Sequence, residues 1–294
     1  MPTSDIMSKK RIVVLGATGM LGRDVMRVLA SCNNAETVCL GSRDCDITDR
    51  ETVQSRITEL RPDVIINCAA YTAVDAAEDN QEAAEALNHH APAYIAEAAK
   101  KTGSLIIHIS TDYVFDGKAS SPYTEDMPTA PLGTYGASKR RGEEAVIASG
   151  CRHVIIRTQW LYSTAGKNFL LTMKRLFETR EQIGVVCDQT GSPTYTADLA
   201  AAIKVVAFGF KEGQDGIYNF SNSGCCTWYD FAVSIAALMA TRCAIRPIKT
   251  SEYPTRATRP AYSVLCKEKI SATFGVQVPH WREGLRRCFE ALED

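Results

Sequence analysis

Short apolar β-branched runs alternate with amphipathic stretches along most of the chain. Arg11–Gly16 (RIVVLG) is a run that stops at glycine, the signature of a buried parallel strand. A helical pattern follows from Met20 to Ser31. Residues 37–42 (TVCLGS) read as a second strand. Residues 48–60 read as a helix with Thr48 at its cap and Glu51 three positions on. Residues 63–70 (DVIINCAA) form a third strand, and one long alanine-rich helix is expected from about Gln81 to Lys101. Residues 105–110 (LIIHIS), 153–158 (HVIIRT) and 216–221 (GIYNFS) supply three more strands, with a helix at residues 196–208 before the last. Strands that alternate with helices predict a doubly wound parallel α/β (Rossmann) sheet. Beyond Trp160 the alternation loosens, which predicts a smaller C-terminal α/β substrate lobe. The expected dinucleotide-binding domain is 9–160, with 191–221 returning to it, and the substrate lobe comprises 161–190 and 222–294.

Charge narrows the function classes. The 33 basic and 34 acidic residues leave a net charge of −1 with no long run of either sign, so neither nucleic acid nor an anionic membrane is an expected partner. No apolar run approaches the roughly 18 residues of a membrane span. The first ten residues lack the apolar core of a signal peptide and read as a short disordered lead-in. The 11 cysteines are odd in number and scattered, which fits reduced thiols in a cytoplasm and neither disulfides nor zinc. The five histidines show no ligand spacing, so neither a metal site nor a histidine base is expected.

Candidate chemistry begins at GATGMLG, which sets Gly16, Gly19 and Gly22 between the first strand and the first helix. A turn without Cβ atoms lets the backbone approach a pyrophosphate, and the helix N-terminus then offers it free N–H groups. The second strand ends with Ser42 and Arg43, which suit the 2′-phosphate of NADPH; NADH is the alternative, with Arg43 then a solvated loop residue. Asp46 and Ile47 stand where they could flank an adenine. The fourth strand runs into Ser110, Thr111 and Asp112, positions that face the ligand crevice of such a sheet. Tyr135 and Lys139 follow, one helical turn apart and so on one face. A phenol beside an ammonium is expected to have a lowered pKa and to move protons near neutrality.

A strand-four hydroxyl followed by Tyr-x-x-x-Lys resembles the active-site pattern of short-chain dehydrogenases/reductases. The segments GATGMLG, RPDVIINCAAYTAVDAAE, STDYVFDG, YGASKRRGE, RTQWLY, DQTGSPTYTADLA and TRPAYSVL together resemble the dTDP-4-dehydrorhamnose reductases of the extended superfamily, in order from about residue 11 to 290. The resemblance implies reduction of a nucleotide sugar at C4 by NADPH or NADH. It implies catalysis by Thr111, Tyr135 and Lys139, and cofactor contacts at Gly19, Met20, Leu21, Asp46, Ile47, Ala70, Tyr71, Thr72, Tyr135 and Lys139. Thr111, Asp112 and Trp160 would touch the sugar, and Arg256 and Arg259 are candidates for its diphosphate. The family's acidic Mg2+ contacts at a subunit interface find no assignable counterparts, so no metal ligand is named and Mg2+ stays open, as does a homodimer. Two other readings remain: a regulatory subunit resembling that of methionine adenosyltransferase, and another nucleotide-sugar epimerase or dehydratase.

Overall fold

The computed structural model describes residues 9–293; the lead-in expected over the first ten residues lies outside them up to residue 8, and Lys10 already belongs to the first strand. Six strands form one parallel sheet: β1 (Lys10–Leu15), β2 (Ala35–Leu40), β3 (Val64–Asn67), β4 (Leu105–Thr111), β5 (Arg152–Thr158) and β6 (Gly216–Asn219). Their spatial order is β6-β5-β4-β3-β1-β2. The order reverses between β1 and β3, and a crevice opens past the carboxyl ends of the strands at such a reversal. Ile12, Val14, Ile66 and Ile107 point to one face, while Val13, Leu15, Ile65 and Ile106 point to the other. Burial on both faces is why these segments read as unbroken apolar runs.

The second strand runs 35–40, two residues earlier than its sequence pattern suggests. It pairs in register with β1 from Lys10↔Ala35 to Leu15↔Leu40, and Gly41 beyond it belongs to a turn closed by Asp44. The helices that cover the sheet include α1 (Met20–Ala30), α2 (Arg50–Leu60), α3 (Ala91–Thr102) and α4 (Thr134–Ser149). The cap of α2 is Asp49, which accepts the Thr52 N–H at 2.9 Å, and not Thr48. Thr48 is drawn away: its N–H and hydroxyl both donate to Asp46.

The single helix expected from Gln81 to Lys101 is broken by a π-turn over Ala86–His90. The wider turn aims Asn88 inward, as such bulges do at functional sites. Its amide accepts from the Tyr71 N–H, donates to the Tyr71 carbonyl, and donates to the Ser138 hydroxyl on α4. A Cβ at Gly142 would sit 2.1 Å from the Asn88 carbonyl oxygen, so glycine there is what lets α4 come this close.

Past Trp160 the chain builds α5 (Phe169–Thr179), α6 (Thr196–Gly209), α7 (Trp228–Met239) and α8 (Trp281–Glu293). Residues Gln182–Val186 and Ala244–Ile248 pair as parallel strands. This part has its own aromatic core, in which Phe231 packs on Tyr162, Phe169 and Trp281. The helix α6 instead packs Leu199, Ile203 and Val206 with the sheet core and against α1. At that junction Asp24 of α1 is 2% exposed; its carboxylate accepts from the hydroxyls of Ser163 and Thr196 and pairs with Arg27.

Candidate active site

The glycine turn is shaped by close approach. Gly16 has φ +73°, and a Cβ on it would meet the Ala69 nitrogen at 2.6 Å. A Cβ on Gly22 would lie 2.2 Å from the Gly16 carbonyl oxygen, so Gly22 is a packing residue that seats α1 on its own turn. Gly19 caps α1 without any side-chain bond, leaving the first N–H groups of that helix for a ligand. Gly16, Gly19, Met20 and Leu21 line a cleft of about 670 Å³, joined across β3 by Ala70 and Thr72. These cradles suit a pyrophosphate.

Other expected cofactor residues stand back from this cleft. Tyr71 lies between Ala70 and Thr72, with its backbone fixed by Asn88. Ile47 is buried in the core beside Leu15 and Val53. Asp46 is exposed, and its two bonds from Thr48 hold its carboxyl below the usual range. Arg43 is exposed in the loop that follows β2. Asp46, Ile47 and Arg43 thus cluster past the end of the outer strand, one strand over from the glycine turn.

Thr111, Asp112, Tyr135, Lys139 and Trp160 all line the cleft. Thr111 ends β4, where its hydroxyl donates to Asp112 at 3.1 Å. Burial drives the Asp112 carboxyl up to about 7, against the hydroxyls of Ser263 and Thr111. Lys139 donates to the Ile109 carbonyl at 2.7 Å and is 1% exposed. Burial lowers its ammonium to about 8, against the pull of the Glu143 carboxylate. The lowered phenol expected of Tyr135 is not found. Burial pushes it well above its ordinary value, and the Thr111 hydroxyl offsets only part of that. Desolvation leads, the charges of Asp112 and Tyr113 add to the rise, and the Lys139 ammonium is engaged by the Ile109 carbonyl.

Trp160 adopts φ +47°, a left-handed conformation rare for a bulky side chain, with a cost of about 1–3 kcal/mol. Its indole stacks on Trp228 with centroids 3.5 Å apart and planes 12° from parallel. Gly191 makes room for it, since a Cβ there would lie 2.6 Å from the Trp160 ring.

The chain from 10 to 293 matches the family model described as the RmlD substrate binding domain. It is 40% identical to the dTDP-4-dehydrorhamnose reductase of Burkholderia thailandensis, over 96% of this chain and 99% of that one. The chain belongs to the dTDP-4-dehydrorhamnose reductase family. A member of this family from Bacillus anthracis, solved in complex with NADP, superposes with a TM-score of 0.91 at 38% identity, covering 96% of this chain and 99% of that one. A relative from Streptomyces antibioticus, described as a probable dTDP-4,6-dihydroxy-2-methyloxan-3-one 4-ketoreductase, is 41% identical over 95% of this chain and 94% of its own length.

In this member of the family several cleft residues escape sequence reading. Trp228, at the start of α7, and Lys167 both line the cleft. So does Gln159, whose side-chain oxygen accepts from the Ser192 N–H and the Ser263 hydroxyl. The stack on Trp160 and the packing on Phe169 place Trp228 there, and nothing local marks Gln159. Arg259 reaches the cleft, where it donates to the Tyr113 hydroxyl at 3.0 Å and pairs with Asp75 at 2.5 Å. Arg256 is more than half exposed and pairs with Asp79 at the rim. Glu85, His89 and His90 gather their ligand atoms within 4.8 Å of one another, although the sequence shows no metal spacing. The Arg141 guanidinium already bonds the Glu85 carboxylate, a poor setting for a second cation.

Among the described residues, no helix is long and apolar enough to cross a membrane.

Proposed function

We propose that this protein reduces the C4 ketone of dTDP-4-dehydro-L-rhamnose with NADPH, forming dTDP-L-rhamnose. The observation that carries this reading is the convergence of Thr111, Tyr135 and Lys139 on a cleft that ends at the glycine turn. When bound, the reduced nicotinamide supplies the hydride. Tyr135 donates its proton to the C4 oxygen, and the raised pKa suits that role because the phenol stays protonated until charge develops on its acceptor. Thr111 hydrogen-bonds the same oxygen. Lys139 stabilises the phenolate left behind and holds the cofactor ribose. Trp160 walls the apolar side of the deoxysugar while Asp112 reads its hydroxyls. Gly19, Met20 and Leu21 seat the pyrophosphate, Ala70, Tyr71 and Thr72 follow the cofactor along the cleft, and Asp46 with Ile47 borders the adenine. The free state of all 11 cysteines fits a cytoplasmic enzyme.

The reading is tested by incubating the purified protein with the sugar nucleotide and NADPH while following absorbance of the reduced cofactor. No oxidation above background by folded, cofactor-binding protein overturns it. The Streptomyces relative makes its own ketosugar the comparison substrate.

If Trp160 and Asp112 hold the sugar, Trp160→Ala and Asp112→Ala should each lower kcat/KM at least about tenfold, roughly 1.4 kcal/mol of transition-state stabilisation, with cofactor affinity unchanged. Steady-state kinetics beside cofactor fluorescence titration separate the two effects. If Arg43 meets the 2′-phosphate, Arg43→Ala should weaken NADPH far more than NADH, because only the former loses a charge-assisted hydrogen bond. Equal affinities that the substitution leaves unchanged return Arg43 to solvent.

A further inference from the structure

One buried titratable side chain beside the catalytic residues has no part in the chemistry above. His108 lies on β4, fully buried, between Asn67 of β3 and Lys139 of α4. The Asn67 carboxamide oxygen accepts the Ala69 N–H at 3.1 Å, which fixes the orientation of that amide. Its NH2 therefore faces the His108 ring, with Nδ2 3.2 Å from Nδ1. A nitrogen that faces an NH2 must accept, so Nδ1 is bare and the ring hydrogen sits on Nε2. Nε2 in turn lies 3.4 Å from Lys139 Nζ. Burial and the neighbouring lysine hold the ring neutral, its pKa well below the ordinary imidazole value.

An N–H aimed at Nζ discriminates between the two states of the lysine. It opposes an ammonium, which has hydrogens and no lone pair, and it can donate to a neutral amine. We propose that His108 is a positioning residue for Lys139, whose ring, oriented by Asn67, stabilises the neutral amine and so makes Lys139 a proton donor during turnover instead of a fixed cation. The inference rests on the reductase reading. The step it adds balances simply: an N–H bond of the Lys139 ammonium breaks, an O–H bond forms on the Tyr135 phenolate, directly or through one water that passes its own proton on, and no electrons change hands. The amine left behind accepts from His108 until solvent returns the proton.

Several other groups face Lys139 and could govern its ionisation. Glu143 lies one turn on along α4 and favours the ammonium, but both its oxygens are bonded to Arg157 of β5 and one accepts from Ser110 of β4. Tyr135 precedes it by one turn, and Asp112 follows β4. Cys68, past the end of β3, is a thiol pushed up to about 12 by burial and so stays neutral. His108 Nε2 lies 3.4 Å from Nζ, which also donates to the Ile109 carbonyl at 2.7 Å.

The test reads Lys139 itself, in the cofactor-free protein, by NMR of 13Cε-labelled lysine through a pH titration, with its signal assigned by loss in Lys139→Met. Native Lys139 should titrate near 8. His108→Asn keeps an acceptor for Asn67 but offers Lys139 no N–H, and should raise that midpoint by about one unit or more toward the ordinary lysine value. His108→Gln leaves a gap of similar size yet returns an amide N–H to the place of Nε2, and should stay close to native. Asn67→Asp retains the Ala69 bond, draws the hydrogen to Nδ1 and turns Nε2 into an acceptor, so its midpoint should also rise. The limb of kcat at high pH should move with the NMR midpoint in each variant. Unchanged midpoints in His108→Asn and Asn67→Asp, or equal shifts in His108→Asn and His108→Gln, overturn the proposal. A native protein without turnover but with these shifts would instead overturn the reductase reading alone.

Discussion

Tyr135→Phe is expected to cut kcat by about 10²- to 10⁴-fold, the usual share of a positioned acid. The substitution removes the hydroxyl, with its acidic proton and its hydrogen bond to Thr111, and leaves the ring. The ring packs edge-on against Tyr113, with centroids 5.5 Å apart and planes at 74°, and a phenylalanine keeps that contact. Cofactor affinity should therefore stay within a few-fold of native. Turnover of the variant near the native rate would remove Tyr135 from the reaction.

Arg157→Met should have the largest effect on stability. Arg157 and Glu143 are each 2% exposed and form a two-pronged ion pair, at 2.9 Å through Nε and 2.7 Å through Nη2. The guanidinium also lies 5.0 Å from the centre of the Phe115 ring. Removing it strands a buried carboxylate, at a cost of about 3–5 kcal/mol. Replacing both partners with apolar residues should recover much of the loss, because the desolvation cost of the charges vanishes with them. Urea denaturation of the single and double variants measures both. A single variant as stable as native would show that water reaches Glu143.

Legibility in the sequence followed the range of the forces involved. The order of the strands and the glycine turn were readable because they depend on neighbours a few residues away, whereas the strand ends were not: the third and sixth strands expected at 63–70 and 216–221 stop at Asn67 and Asn219. Thr111, Tyr135 and Lys139 meet in the cleft for the same reason, each standing just past a strand or on the helix that follows one. Longer-range effects were not readable. The π-turn exists to bring Asn88 to Tyr71, 17 positions back. Gln159 is held by Ser263, 104 positions away, and Trp228 joins the site by packing on Trp160 and Phe169, both far from it in the chain. The rise of the Tyr135 phenol escaped as well, since burial is a property of the assembled fold. Thr48 lost its capping role to Asp49, the next residue, because Asp46 two positions before draws its hydroxyl and N–H away, a competition that motif spacing alone does not rank.

The junction at Asp24 bears on how the two ligands are brought into line. Ser163 and Thr196 lie on different passes of the chain beside the cleft, and both are bonded to one carboxylate on α1. That same helix presents its open N-terminus to the cleft through Gly19. The element that would receive the pyrophosphate is therefore also the datum from which the segments next to Trp160 are measured. A tilt of α1 as a phosphate seats would carry those segments with it, and a shift of them would be felt at the phosphate. One buried carboxylate thus keeps the phosphate end of the cleft in gauge with the segments beside Trp160.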